Sequence, residues 1–157
     1  MDLLDAENVR RIISNILYLL VPSGKWSERY LPSDKHWLTV PEKVIVEIAN
    51  SEPKLDQRLY IQEIFDCDDF ALAFKSRSAG YAVSHKLTNP LAVGFIFTEE
   101  HVWNFFIDES WDMVLLDLSA EIRQLHKCPP GKNKTQFFQE KLRLSENPSN
   151  EITLIYI

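Results

Sequence analysis

Cysteine is scarce: only Cys67 and Cys128 occur among 157 residues. That excludes a fold built on disulfides and points to a reducing compartment, the cytoplasm. Positive charge is not in excess either, with Lys+Arg 17 against Asp+Glu 23 and a net charge of −6. A mildly acidic surface repels phosphate backbones and anionic lipid, so neither a nucleic-acid nor a membrane partner is expected. Long apolar runs are missing. The longest, Ile16–Val21, falls far short of the ~20 residues a bilayer needs. Arg10-Arg11 ahead of Ile12–Val21 has the outline of a secretion signal. Asp2, Asp5 and Glu7 make its start acidic, however, and no small-x-small cleavage site follows, so export is not expected. Internal repeats and low-complexity tracts are absent.

What is present suits a globular chain. Hydrophobic residues make up 45%, enough apolar surface to offset the entropy of ordering the backbone. The length fits a single domain over residues 1–157. Val9, Ile12, Ile13, Ile16, Leu17 and Leu20 recur at the spacing of one buried helical face, and Pro22-Ser23-Gly24 ends that helix. Residues 22–41 carry Trp26, Tyr30 and Trp37 between prolines and read as an ordered aromatic loop. Residues 40–50 are ambiguous: Pro41 argues for a helix, Val44-Ile45-Val46 for a strand. A second helix runs from Asp66-Cys67-Asp68-Asp69 to Gly80. Leu91–Phe97, His101–Ile107, Trp111–Leu118 and Ile152–Ile157 have strand composition. The predicted class is therefore α+β, with N-terminal helices and the Cys67 helix packed on an antiparallel sheet.

Cys67 is the sharpest chemical feature. At the first turn of a helix, with Asp66 as N-cap, its thiolate is favoured by the positive end of the helix dipole. Asp66, Asp68 and Asp69 oppose it as like charges. A nucleophile there needs a positive partner, and the sheet offers His101. A three-residue hairpin loop at 108–110 sets His101 opposite Asp117, on the face of Trp103 and Trp111, where the carboxylate can orient the imidazole.

Asp66-Cys67-Asp68-Asp69-Phe70-Ala71, His101-Val102-Trp103-Asn104 and Leu115-Leu116-Asp117 together resemble the core of transglutaminase-like and papain-like cysteine hydrolases. Asp117 follows His101 by 16 residues, close to the family interval. The first block is also similar to bacterial transglutaminase-like proteinases and to the papain-like protease domain attached to a mushroom lectin. The resemblance covers roughly residues 60–120. It implies Cys67 as nucleophile, His101 as general base and acid, and Asp117 as orienting carboxylate. It also implies an oxyanion donor upstream, for which Gln62 is the first candidate and Tyr60 the second. Trp103 and Trp111 would then wall the substrate site. The implied activity is cleavage of peptide or isopeptide amides in a peptide or protein substrate through a thioester, with no cofactor. An acyl transferase shares the same acyl-enzyme. The Asp66 substitution for a small residue and the short interval from Cys67 to His101 depart from the papain pattern.

The alternative is a binding module that kept the fold without turnover, a reading favoured by the acidic surroundings of Cys67. A third reading has the Trp26/Tyr30/Trp37 loop bind a partner. Asp66, Asp68 and Asp69 lack the glycine of an EF-hand loop, and His126 with Cys128 lacks a second ligand pair for zinc. No metal site is expected.

Overall fold

A computed structural model describes residues 1–21, 25–51, 67–118, 124–144 and 152–157. Helix α1 (Ala6–Leu17) starts where Asp5 caps it, its side chain accepting from Asn8 N–H at 2.7 Å. The apolar stripe Val9, Ile12, Ile13, Ile16 and Leu17 is buried, and the chain tightens into a 3-10 turn at Tyr18–Leu20. Helix α2 (Trp26–Arg29) is one turn. Residues Glu42–Asn50 form helix α3 behind Pro41: the φ that proline fixes suits a helix entry, and Val44, Ile45, Ile48 and Ala49 bury one side. Helix-face burial outweighs the strand preference of Val-Ile-Val here.

Helix α4 (Cys67–Ser84) runs past Gly80, the expected terminus. A Cβ at Gly80 would meet nothing within 4 Å, so this glycine lies on an open face. The true stop is Lys86, at φ 53. Leu87 N–H bonds Ala82 O and Lys86 N–H bonds Val83 O, the paired closure of a Schellman motif. Helix α5 (Lys134–Lys141) is capped by Asn133, which accepts from Gln136 N–H.

The main sheet has six strands, in the order β2 (Tyr30–Leu31), β8 (Ile152–Tyr156), β4 (Val93–Thr98), β5 (Val102–Ile107), β6 (Met113–Asp117) and β7 (Gln124–Lys127). The β2–β8 pair is parallel; the others are antiparallel. A separate two-stranded sheet pairs β1 (Leu3–Asp5) with β3 (His36–Leu38). This corrects the expected α+β layout of N-terminal helices followed by an antiparallel sheet. Strands β1, β2 and β3 lie among the first helices, α5 follows β7, and the sheet is mixed. Two- and three-residue strands are too short to show alternation, so residues 30–38 read as loop in the sequence.

Strand pairing divides the sheet's residues between two faces. Val93, Phe95 and Phe97 share a face with Val102, Asn104 and Phe106, and α4 packs against it. Asn104 Nδ2 donates to Ala71 O in α4 at 3.1 Å and to Gly94 O at 3.3 Å. The opposite face carries Gly94, Trp103, Phe105, Leu115 and His126. Trp26, Tyr30 and Trp37 are 7%, 8% and 0% exposed, with Trp26 and Tyr30 stacked at 5.6 Å. They belong to the core, so the reading of their loop as a partner surface is also corrected.

Lys75 of α4 is a half-buried charged group. Its Nζ donates to Val93 O at 2.6 Å and lies 5.7 Å from the Tyr156 ring centre. Burial pulls its pKa down to about 8, against the pull of Asp34.

Candidate functional site

The β4–β5 turn fixes His101. Thr98 N–H bonds His101 O at 2.9 Å, and His101 N–H bonds Thr98 Oγ1 at 3.0 Å. The turn closes on Glu99-Glu100, with Phe97 opposite Val102. Across the sheet, Ile107 faces Met113; a three-residue loop would have set it against Trp111. The β5–β6 loop thus takes five residues, 108–112. Asp108 makes this possible, its Oδ1 accepting from Ser110 N–H at 2.9 Å and Asp112 N–H at 3.0 Å. Trp111 takes φ 60, a left-handed conformation rare for a bulky side chain.

The added length is two residues in the pairing, so each side chain keeps its face. His101 comes diagonal to Asp117 rather than directly opposite. Its Nε2 lies 3.5 Å from Asp117 Oδ1, with side chains 23% and 14% exposed. The His101 ring meets Trp103 edge-on at 4.9 Å, and the His126 ring also meets Trp103 edge-on, at 6.1 Å. Trp103 is buried, and its Nε1 has no hydrogen-bond partner among the described residues. The result is a buried indole wall flanked by two imidazoles and one carboxylate. A partly exposed imidazole and carboxylate offer a ring nitrogen and an acceptor side by side, against an apolar body. That combination suits a ligand rich in hydroxyls.

Cys67 opens α4 and is half-buried. It packs against the cluster of Ala71, Phe95 and Val102. Val102 adjoins His101, so both residues belong to the same end of the sheet. Pairing parity nevertheless puts Val102 and Phe95 on the α4 face, and Trp103 with Asp117 on the other. Trp111, expected beside Trp103, stands at the far end of the β5–β6 hairpin. It is 36% exposed there, its Nε1 donating to Asp2 Oδ2 at 3.4 Å. Gln62, Tyr60 and Asp66 lie outside the described residues. Among the described residues no group of three or more His, Cys, Asp or Glu can hold a metal ion.

His126 is the member that sequence reasoning missed as part of this array. Strand β7 has only four residues, too few for alternation to reveal which way His126 faces. Its pKa is lowered, first by burial and then by the Lys141 cation, while Asp117 pulls the other way. The neutral ring is therefore favoured in the folded protein. The unfolded state binds the proton more readily, so stability at His126 is present above its ordinary pKa of 6.5 and falls as pH drops below it. An NMR titration of the His126 ring is expected to give a midpoint below that value, moving up in Lys141→Gln. An unchanged midpoint in that variant would remove Lys141 as a cause.

No protein-family model matches this chain, and no curated protein does. Solved structures do. The structure titled as the PSL1a–E64 complex is similar with a TM-score of 0.68 at 16% identity, over 99% of this chain and 51% of that one. A Polyporus squamosus lectin, titled as bound to the human-type influenza-binding epitope Neu5Aca2-6Galb1-4GlcNAc, has a TM-score of 0.66 at 16% identity. There the match covers 99% of this chain and 49% of that one. The chain spans about half the length of these two matched chains, and at such identity the likeness is one of fold.

That finding corrects the family reading. The fold likeness points to lectin chains, and it replaces the assignment to a transglutaminase-like or papain-like cysteine hydrolase core. The motifs behind that assignment are short blocks over less than half the chain, whereas the structural match covers 99% of it. The cysteine-hydrolase reading loses the family assignment it rested on, and the fold likeness gives no support to a peptide substrate. No helix among the described residues is long and apolar enough to cross a membrane.

Proposed function

We propose that this chain is a ligand-binding domain without turnover of its own, and that its ligand is a glycan. The observation that carries the reading is its fold likeness to lectin chains, one of them titled as bound to a sialylated trisaccharide. The array of His101, Asp117 and His126 about Trp103 supports it chemically. Asp117 accepts from sugar hydroxyls, His101 and His126 bond others, and the indole keeps the site dry enough for those bonds to count.

The test is calorimetric titration with Galβ1-4GlcNAc and its sialylated form. Wild type is expected to bind at least one of them, and His101→Ala or Asp117→Asn to weaken it at least tenfold, about 1.4 kcal/mol or more. Iodoacetamide labelling of Cys67 runs alongside, in wild type and in His101→Ala, and turnover chemistry at that thiol would show as a rate that depends on His101. Silence across the glycans would overturn the reading. So would fast labelling at neutral pH that disappears with His101.

A further inference from the structure

A cavity lies along the solvent side of α1. It is a groove of about 300 Å3 lined by Glu7, Arg10, Arg11, Ser14, Tyr18 and Trp26. Four of these follow from helix geometry: Glu7, Arg11, Ser14 and Tyr18 stand about one turn apart on one stripe. Arg10 lies beside them, and α2 supplies Trp26 as the far wall. Tyr18 is 57% exposed and Trp26 only 7%, their rings tilted at 6.0 Å. Trp26 in turn stacks on the buried Tyr30, which makes the wall rigid.

Two arginines and one carboxylate, Glu7, line this groove, which leaves it net positive. In a chain of net charge −6, two guanidiniums converge here. Among the described residues no carboxylate pairs with either one. Arg11 Nη2 donates to the neutral Asn8 Oδ1 at 3.0 Å. An Arg fork is the side chain best matched to a carboxylate. Glu7 disfavours a bare inorganic anion, since it repels one, but it accepts from hydroxyls, as does Ser14. The exposed face of Tyr18 offers an apolar surface to a ring. Cation, hydroxyl acceptor and aromatic face together describe the chemistry of an acidic sugar. The volume fits a small ligand such as a monosaccharide, being near the lower end for ligand sites.

The geometry points to this groove as a site for a carboxylate-bearing sugar, with Arg10 and Arg11 on the carboxylate, Glu7 and Ser14 on hydroxyls and Tyr18 against the ring. The inference rests on the glycan-binding reading and adds to it a second location and a charge requirement. The test is an amide NMR titration in phosphate-free buffer with methyl β-D-glucuronide, methyl β-D-glucoside and inorganic phosphate in turn. The glucuronide is expected to shift the amides of residues 7–18 and to bind at least tenfold more tightly than the glucoside. The double variant Arg10→Gln/Arg11→Gln is expected to lose that response, and His101→Ala to keep it. Equal response to the two sugars overturns the proposal, as does a response that survives the arginine variant. Phosphate binding as tightly as glucuronide overturns the sugar assignment. If sugars move only the amides around His101, the groove proposal fails while the glycan reading stands; if no sugar moves either region, both fail.

Discussion

Gly94→Ala is expected to cost about 3 kcal/mol or more and to lower the unfolding midpoint by roughly 6–12 °C. Gly94 sits in β4, opposite Phe105 of β5. A Cβ built there falls 2.2 Å from Tyr156 O and 2.6 Å from the Phe105 ring. The ring can shift at some cost. The carbonyl belongs to β8, whose neighbour Ile155 pairs with Ile96, so relief requires two paired strands to part. Chemical and thermal unfolding of the variant check this. A loss under about 1 kcal/mol would mean the β4–β8 contact is looser than the structure has it.

Asn104→Ala is the second large effect, at about 2–3 kcal/mol. The side chain is 2% exposed, and its amide reaches the carbonyls of Ala71 and Gly94. One residue thereby ties α4, β4 and β5 together. Truncation leaves a cavity and takes the amide donor from two buried acceptors. Asn104→Asp keeps the volume but turns an oxygen toward those carbonyls. The folded state then holds the carboxyl's pKa above its unfolded ~3.9. Such a variant is most stable below that unfolded value and loses stability as pH rises through the folded pKa. Urea unfolding at pH 4 and pH 7 is expected to show Asn104→Asp closer to wild type at the lower pH. An equal deficit at both would show that the charge on the buried carboxyl does not set the cost.

Legibility followed the length of each pattern. Helix α1 was plain because its apolar positions repeat on one face, and five of them are buried in the helix. Strands β4, β5 and β6 were plain from composition. Strand β2, only two residues long, left no pattern to read. The β5–β6 register needed a turn whose signal was Asp108 bonding two backbone N–H groups, without the usual glycine. The His101–Asp117 neighbourhood survived that error because the slip was even. Trp111 did not, since the longer loop holds it at the hairpin tip. Asn104 lay inside a recognised motif, yet its role depends on Ala71, 33 positions away. The Cys67 motif matched a family over short segments, and the fold of the whole chain pointed elsewhere.

The position of β8 has a consequence for synthesis. Residues 152–156 are the last strand in the chain, yet they sit between β2 and β4, an interior slot. Tyr30 finds its partner in Ile155, so that closure must wait for a residue 125 positions later. Until residue 156 has left the ribosome, β4 presents an unpaired edge carrying Phe95 and Phe97. Between the emergence of Thr98 and that of Tyr156 the nascent chain therefore carries an open hydrophobic ladder, a window in which chaperone engagement or edge-to-edge aggregation competes with folding.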